Sequence, residues 1–296
     1  MRVGIAGIGK MGAAIAARLQ ETGVELMVWN RSADKAVTTG LPAADSPMQL
    51  ASRCDVIISS LFDQAAADAV YRGMDGLISA AQGKLFIEMS TLQPMAQRAL
   101  ASAIRDAGGA FIECPVGGTT GPARAGQLLG LAGGEAADVD RARPLLDKLC
   151  RRLEHMGPVG SGALAKLAIN LPLIVFWQAL GEAFALAKAL EKDPEWMVQL
   201  FTETAGAANV LKIKAGAVTA ALEGNVDVPP TFDIDAMRKD LRMMRSEAAT
   251  HGVVLPVASQ ALAVFDEVAA VGFGSRDCAY APAYWASRQG DQTPPG

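Results

Sequence analysis

A glycine-rich turn near the N-terminus constrains the fold of this chain more than any other feature. The sequence Gly7-Ile8-Gly9-Lys10-Met11-Gly12 follows an apolar, strand-like run at residues 3–6 and opens a helical pattern at residues 11–20. In such a unit the first glycine allows the tight turn, the second lets the backbone approach a diphosphate, and the third lets helix and strand pack closely. Free N–H groups at the helix start favour negative charge. The turn predicts a dinucleotide-binding βαβ unit; the alternative is a glycine-rich turn without a ligand.

The rest of the N-terminal half alternates strand-like and helix-like segments. Short apolar runs predict strands at residues 25–29, 55–61, 84–88, 110–113 and 128–131. Helical patterns lie between most of them, for example at residues 93–106 and 137–148. Strands that alternate with helices in this way are typical of a mostly parallel, doubly wound sheet.

The pattern changes near residue 160, after which almost every segment is helical. The predicted helices cover residues 164–192, 194–205, 210–222, 234–250 and 256–270. At roughly 100 to 200 residues per domain, a chain of 296 residues is expected to form two domains. We predict an α/β protein with an N-terminal Rossmann domain, a doubly wound sheet at residues 1–160, and an all-α C-terminal domain at residues 161–296.

A long apolar segment at residues 164–190 has the composition of either a buried helix or a membrane span. It carries five polar side chains, namely Lys166, Asn170, Gln178, Glu182 and Lys188. Its uncharged core is shorter than the ~20 residues that a span requires, and charges are unfavourable in lipid. We therefore predict a buried helix.

Composition excludes several other classes of protein. The net charge is −4 without a basic stripe, so a nucleic-acid partner is not expected. None of the four cysteines forms a CxxC pair, which argues against a zinc site or a disulfide framework and favours a reduced compartment, the cytoplasm. The two histidines fall in no motif, and no cluster of His, Asp and Glu indicates a metal.

The end of the second predicted strand bears on the choice between NAD and NADP. An acidic residue there would hold the ribose 2′-hydroxyl and repel a 2′-phosphate. Here the residues are Asn30, Arg31 and Ser32. Arg31 can stack on the adenine and pair with the phosphate, and the other two can donate to it. This favours NADP, the alternative being that Arg31 is an ordinary solvated loop charge.

Four further motifs follow the glycine turn in a fixed order. They are Glu88 to Pro94, resembling D-x-S-T-x-x-P; Glu113 to Gly121, resembling D-A-P-V-S-G-G-x-x-G; Gly160-Ser161-Gly162 followed by Lys166 and Asn170; and Phe232 followed by Lys239-Asp240. Together the five motifs resemble those of the β-hydroxyacid dehydrogenase family, which includes 3-hydroxyisobutyrate dehydrogenase and the glyoxylate/succinic semialdehyde reductases. The resemblance spans nearly the whole chain. It implies the same two-domain fold and a helical domain that carries the subunit interface.

The resemblance implies that Lys166 transfers the proton and that Asn170, four residues on, shares its helix face. The residues support this role, because a lysine desolvated in an apolar helix can have a pKa near neutrality and protonate a developing alkoxide. The alternative is a lysine that extends to solvent. Pro172 lacks an N–H and predicts a kink or a break near Asn170.

By resemblance, two loops and a late lysine bind the substrate carboxylate and the nicotinamide. The predicted substrate residues are Ser90, Thr91, Gly117, Gly118, Thr119, Thr120 and Lys239. The predicted cofactor residues are Gly7, Gly9, Lys10, Met11, Gly12, Asn30, Arg31, Ser32, Leu61, Phe62, Thr91, Phe232 and Lys239. The chain departs from the family pattern at Gly117, which is commonly Ser, and at Thr119, which replaces a Gly. The carboxylate is then expected on Thr119, on Thr120 or on backbone N–H groups.

We therefore predict an NADPH-dependent oxidoreductase that interconverts a small β-hydroxy acid or other hydroxy acid and its aldehyde or keto form, with glyoxylate or a semialdehyde as candidate substrates. One alternative is imine reduction on the same fold, against which Lys166 argues. Another is a non-catalytic dinucleotide-binding protein, which would not need Lys166 and Asn170 together. The apolar helical domain predicts a homodimer or a higher homo-oligomer.

Overall fold

The protein is described here from a computed structural model that covers residues 1–225 and 228–287. The chain forms two compact units that divide after Leu167. The predicted boundary at residue 160 precedes the long helix Ser161–Ala187, whereas the two units divide within that helix. The α/β fold with a helical C-terminal region is confirmed.

The first unit is built on one sheet. Its strands are β1 Arg2–Ala6, β2 Glu25–Trp29, β3 Val56–Ser59, β4 Leu85–Glu88, β5 Ala110–Glu113, β6 Val116–Gly117, β7 Leu128–Gly134 and β8 Cys150–Gly157. The order is β2-β1-β3-β4-β5-β7-β6, and β8 pairs with β7. Strands β1 to β5 are parallel, β7 is antiparallel to β5 and β6, and β8 is parallel to β7.

Helices cover both faces of this sheet. They are α1 Lys10–Glu21, α2 Ala33–Val37, α3 Pro47–Arg53, α4 Gln64–Arg72, α5 Pro94–Asp106, α6 Thr120–Ala125 and α7 Ala136–Leu146, with a 3₁₀ turn at Leu77–Ala80. Successive residues of one strand enter different cores: Ile58 packs in one hydrophobic cluster and Ile57 in the other. Because both faces are buried, the strands have continuous apolar runs rather than alternating ones.

The carboxyl ends of the parallel strands lie side by side. Ala6 is in register with Ser59, Ser59 with Glu88, and Glu88 with Glu113. The strand order reverses at β1, which lies between β2 and β3. In open α/β sheets, ligands bind outside the carboxyl ends of the strands at such a reversal. The fold therefore directs attention to the loops that follow β1, β3, β4 and β5.

The second unit is helical. Its elements are the continuation of α8 Ser161–Ala187, then α9 Pro194–Thr202, α10 Asn209–Leu222, α11 Ile234–Thr250, α12 Pro256–Val268 and α13 Tyr280–Ser287, with a 3₁₀ turn at Lys188–Leu190 and a π-type turn at Ala269–Phe273. Helix α8 continues through Pro172, so of the predicted kink or break near Asn170 the break does not occur, and the kink stays a prediction.

Two helices in the described residues are long and apolar enough to cross a membrane by length and composition alone, Ser161–Leu190 and Pro256–Phe273. A core helix passes the same test. Within its own unit α8 buries Ile174 and Trp177 completely, and Gln178 Oε1 accepts a hydrogen bond of 2.8 Å from Trp285 Nε1. These contacts pack α8 within its own unit, and the buried helix stays a prediction.

Candidate active site

The glycine turn after β1 gives each of its three glycines a different environment. Gly7 has a φ of +96°, and a Cβ there would lie 2.3 Å from the carbonyl oxygen of Ser60. A Cβ on Gly12 would lie 1.9 Å from the carbonyl oxygen of Gly7, so helix and strand meet with no room for a side chain. Around Gly9, in contrast, nothing lies within 4 Å of a Cβ position. The backbone at Gly9 is therefore open to a ligand.

The start of α1 suits an anion. Its N-cap, Gly9, has no side chain that could cap the helix, and the first turn contains no acidic residue. Lys10 and Met11 lie in that first turn, and Met11 packs partly against the core. Unsatisfied N–H groups and the helix dipole favour a phosphate at such a position. The open backbone of the turn and this helix start therefore fit the diphosphate of a dinucleotide.

The loop after β2 uses Asn30 to hold the glycine turn. Asn30 Oδ1 accepts a hydrogen bond of 2.9 Å from Ile8 N, and Asn30 Nδ2 donates one of 3.0 Å to Ser32 O. One N–H of the Asn30 amide is thus used within the loop, and its predicted donation to a cofactor phosphate stays a prediction. Arg31 and Ser32 are exposed, and the Arg31 guanidinium forms no ion pair with any residue in the described part of the chain. Both remain accessible to a ligand.

A buried hydrogen-bond chain connects the loops after β3 and β4. Tyr71 Oη and Ser59 Oγ lie 2.6 Å apart, and Ser59 Oγ donates to Glu88 Oε2 at 2.6 Å. Ser90 N donates to Glu88 Oε1 at 2.7 Å, and Ser90 Oγ accepts a 2.7 Å bond from Leu61 N. Burial raises the pKa of Glu88, while the bonds from the two serines oppose that rise. The chain fixes both loops against each other.

These buried hydrogen bonds change the interpretation of Ser90. Its hydroxyl was predicted to bind the substrate, but the side chain is buried and already accepts a hydrogen bond from Leu61 N on the other loop. Thr91 is only partly buried and Phe62 is exposed, so these two present the loop surface. The serine therefore positions its neighbours in the structure.

The loop after β5 has an open position at Gly117. A Cβ on Gly117 would meet its nearest neighbour, Leu129 Cβ, at 3.5 Å, which is an ordinary contact. Gly118 has a φ of +122°, which favours glycine. Thr119 is the N-cap of α6 but makes no capping hydrogen bond with its side chain, and Thr120 begins the helix. Two hydroxyls therefore follow a glycine that leaves space beside them.

The start of α8 is held by Glu113 at the end of β5. Glu113 Oε1 accepts hydrogen bonds from the N–H groups of Gly160, Gly162 and Ala163, at 2.7, 2.9 and 3.3 Å. Burial raises the pKa of this carboxyl to about 7, against the effect of the three N–H groups. Lys166 lies on the second turn of α8 and is buried. A carboxylate thus anchors the helix that carries the predicted proton donor.

In the second unit one aspartate contacts both the catalytic candidate Asn170 and the binding candidate Lys239. Asn170, one helical turn beyond Lys166 on α8, donates from Nδ2 to Asp240 Oδ2 at 3.1 Å. Lys239 Nζ lies 3.2 Å from Asp240 Oδ1, and Asp240 itself is buried. The sequence analysis interpreted Asp240 only as the neighbour of Lys239. Its role in orienting the Asn170 amide depends on the packing of α8 against α11 and could not be seen from spacing.

A second buried aspartate holds the segment around Phe232. Asp277 accepts from Lys214 Nζ at 2.6 Å, from Thr231 N at 2.7 Å and from Ala279 N at 3.1 Å. Cys278 N donates to Phe232 O at 2.9 Å. These donors lower the pKa of Asp277, although burial opposes them. Neither Lys214 nor Asp277 belongs to a sequence motif, and sequence reasoning missed both.

The predicted residues therefore fall into two sets, each coherent within its own unit. The first surrounds the carboxyl ends of the strands and includes the glycine turn, the loops after β3, β4 and β5, and Lys166. The second comprises Asn170, Lys239 and Phe232. Among the described residues, no group of three or more His, Cys, Asp and Glu is placed to hold a metal ion.

Comparison with known proteins agrees with this arrangement. A family model described as the NAD binding domain of 6-phosphogluconate dehydrogenase matches residues 2–157, and one described as the NAD-binding of NADP-dependent 3-hydroxyisobutyrate dehydrogenase matches residues 160–284. Glyoxylate/succinic semialdehyde reductase 1 of Arabidopsis thaliana is 30% identical over 281 residues, which cover 94% of this chain and 96% of that protein.

Two further relatives extend the comparison. The NAD-dependent L-serine dehydrogenase of Pseudomonas aeruginosa is 30% identical over 282 residues, covering 93% of this chain and 95% of that protein. The solved structure of 3-hydroxyisobutyrate dehydrogenase from Mycobacterium tuberculosis with L-serine gives a TM-score of 0.81 at 25% identity and covers 96% of this chain and 98% of that chain. The matches agree with a glycine turn that fits a dinucleotide diphosphate and with a buried lysine on α8. The chain therefore belongs to the β-hydroxyacid dehydrogenase family, whose members use a nicotinamide dinucleotide and include 3-hydroxyisobutyrate dehydrogenase and glyoxylate/succinic semialdehyde reductase.

Proposed function

We propose that this chain is an NADPH-dependent reductase of small aldehyde or keto acids that also catalyses the reverse oxidation of the hydroxy acid. The observation that carries the proposal is a buried lysine, Lys166, on a helix whose first turn is fixed by a buried carboxylate. A scaffold that only bound a dinucleotide would have no use for a buried amine at that position. The relatives named above act on hydroxy acids or the matching aldehydes, as their names state.

Different residues of the chain are proposed to transfer the proton and to bind the reacting substrate. The chemistry that a bound nicotinamide supplies is hydride transfer to or from the carbon that bears the oxygen. Lys166 donates a proton to that oxygen as negative charge develops on it, and takes it back in the oxidation. Asn170 is the second proposed catalytic residue, and Asp240 orients its amide. The buried position of Lys166 excludes water that would otherwise compete for the proton.

The preference for NADP rests on the loop after β2. None of the residues from Asn30 to Ser32 is acidic, so nothing there repels a 2′-phosphate. Arg31 and Ser32 are exposed and able to bind that phosphate. Arg31→Ala should raise the KM for NADPH about tenfold or more, since a hydrogen bond to a charged group contributes roughly 1.5 to 3 kcal/mol, and should raise the KM for NADH less, because NADH lacks the 2′-phosphate.

The substrate is proposed to be a small carboxylate. Thr119 and Thr120 present hydroxyls in the loop where Gly117 leaves space, and the exposed backbone at Gly118 adds to the polar surface. A carboxylate accepts hydrogen bonds from such donors. Lys239 is proposed as a substrate or cofactor residue of the second unit, where its Nζ lies 3.2 Å from Asp240 Oδ1.

The first experiment is a paired screen with NADPH and NADH as reductants. The substrates are glyoxylate, succinic semialdehyde, methylglyoxal and one cyclic imine, and oxidation of the cofactor is followed by absorbance. Turnover of an aldehyde acid with NADPH preferred supports the proposal. Turnover of the imine alone favours an imine reductase, and binding of NADPH without turnover of any substrate favours a non-catalytic dinucleotide-binding protein.

The second experiment tests Lys166 itself. Lys166→Met should lower kcat by roughly 10² to 10⁴, the usual contribution of a general acid, without changing NADPH affinity. The control is Lys188→Met, the same substitution at an exposed lysine that donates to Ala286 O. An unchanged kcat in Lys166→Met would remove this lysine from the mechanism.

We also propose that the protein works as a homo-oligomer in the cytoplasm. Large apolar side chains in the helical unit are exposed, among them Leu186 on α8 and Ile213 on α10, and a second copy would cover them. The four cysteines are buried as free thiols, which suits a reduced compartment.

A further inference from the structure

Glu113 is a buried carboxylate that the proposed chemistry does not use. It ends β5, is completely buried and lies next to the first turn of α8. Its Oε1 atom accepts three backbone N–H groups, from Gly160, Gly162 and Ala163. Among the described residues, its Oε2 atom has no hydrogen-bond partner. The side chain is therefore directed at one target, the start of a helix.

These bonds account for the first turn of α8 almost completely. The initial N–H groups of a helix have no partner within the helix. Besides the three that bond to Glu113, Ser161 N donates to Pro158 O at 3.1 Å, and Leu164 N returns to Gly160 O at 3.0 Å as the first intrahelical bond. A single carboxylate oxygen thus holds most of the otherwise unpaired donors of this helix.

Glycines shape the slot in which the carboxylate lies. A Cβ on Gly133 would be 2.3 Å from Glu113 Oε1. A Cβ on Gly162 would be 3.3 Å from the same oxygen and 2.2 Å from Leu131 O. Gly160 has a φ of +101°, a conformation that glycine adopts readily. The Gly160-Ser161-Gly162 motif therefore allows the first turn of α8 to pack closely against Glu113.

A second side chain secures the residue before the helix. Arg98 Nε on α5 donates to Val159 O at 3.2 Å, and the Arg98 guanidinium lies beside Gly160. Its positive charge also lowers the pKa of Glu113, although less than burial raises it. The start of α8 is thus held from β5 and from α5, two elements of the first unit.

We propose that Glu113 is a positioning residue for Lys166: by fixing the first turn of α8 it sets the direction in which the lysine points. Lys166 follows Gly162 by four residues, so its own N–H bonds to the turn that Glu113 holds. A shift of about 1 Å at a reacting group can cost 10²-fold in rate. The inference rests on the proposed function, because it assigns Glu113 an effect on the proton-transfer step.

A matched pair of substitutions tests the role of the acceptor oxygen. Glu113→Gln keeps an oxygen that can accept the three N–H groups, whereas Glu113→Met has a similar size and no such oxygen. We expect kcat to fall at least tenfold in Glu113→Met and to remain within about threefold of the wild type in Glu113→Gln. The dissociation constant for NADPH should stay within about threefold in both. Leu77→Ala, which removes a fully buried side chain that makes none of these hydrogen bonds, controls for loss of stability alone and should retain the wild-type kcat.

Hydrogen exchange separates this inference from the proposed function. The amides of Gly160, Gly162 and Ala163 should exchange at least tenfold faster in Glu113→Met than in the wild type, whether or not a substrate is known. Unchanged exchange would overturn the anchor. Faster exchange with equal kcat in the Met and Gln variants would overturn the positioning role. If the wild type is inactive, or Lys166→Met is fully active, the proposed function fails, and with it the positioning role, while the exchange result still decides whether Glu113 anchors α8.

Discussion

Alanine substitutions at Gly12 and Gly9 should have different effects: the first should lower the stability of the protein, and the second its affinity for NADPH. At Gly12 the added Cβ would lie 1.9 Å from the carbonyl oxygen of Gly7, which is backbone and cannot rotate away. Helix α1 must then separate from the turn. Overpacking of this kind usually costs about 1 to 3 kcal/mol, and contact with backbone places Gly12→Ala near ~3 kcal/mol.

At Gly9 the same methyl group meets nothing within 4 Å, and its φ and ψ of −82° and −168° suit any residue. The free energy of unfolding should therefore change by less than about 0.5 kcal/mol, as for a surface substitution. The methyl would instead occupy the space through which a diphosphate approaches the backbone. Affinity for NADPH should fall at least tenfold, or about 1.4 kcal/mol.

Urea unfolding measures the stability of both variants, and quenching of intrinsic fluorescence by NADPH measures binding. Gly216→Ala on α10 is the control, because its surroundings are as open as those of Gly9 and it lies outside the turn. It should bind NADPH normally and gain up to about 1 kcal/mol from helix propensity. Wild-type NADPH affinity in Gly9→Ala would refute the reasoning, since the open backbone would then not be the site of the diphosphate.

Four further predictions follow from single contacts. Gly117→Ser fits without a clash, so it should leave Tm unchanged and lower the KM for a carboxylate substrate; a higher KM would show that the carboxylate does not bind here. Because burial raises the pKa of Glu113 from 4.5 to about 7, the folded state holds this proton more tightly than the unfolded state. The free energy of unfolding should therefore fall by up to ~3 kcal/mol as pH rises from about 4.5 to about 7, and Glu113→Gln should remove that slope in urea titrations. Lys214→Met leaves the buried carboxylate of Asp277 with its backbone donors but without the lysine charge and should cost about 3 kcal/mol; a loss below 1 kcal/mol would mean that the pair is not desolvated. Leu186, 83% exposed, should lie in a subunit contact, so light scattering of Leu186→Glu should show a shift toward monomer, and a wild type that is itself monomeric would exclude the contact.

The sequence predicted those elements whose side chains are buried in a regular pattern. Strands β1 to β5 have continuous apolar runs because helices cover both faces of the sheet, and their positions were predicted to within a few residues. Strand β8 was missed. It pairs with β7, and its residues Arg151 and Arg152 are exposed, so it lacks the apolar run of a buried strand.

The parts of the candidate site that depend on backbone conformation could be predicted from the sequence. The parts that depend on which side chains become buried were harder to predict. The glycine turn has a fixed spacing, and its geometry follows from that spacing. Glu88, Glu113 and Asp240 were visible only as members of motifs. Their roles depend on partners from other elements, such as Tyr71 on α4 for Glu88, and spacing along one chain does not show which carboxylates become buried.

The slot around Glu113 also imposes a rule on how related sequences can vary. Gly133 and Gly162 have no Cβ where one would come close to the Glu113 carboxyl, and Gly160 allows the backbone conformation of the turn that meets it. An aspartate at the same position is one methylene shorter and would reach the helix start only if α8 moved closer to β5. The family pattern that this chain resembles has an aspartate at the place of Glu113 beside the same glycine motif, so in relatives of that kind the first turn of α8 should lie closer to β5.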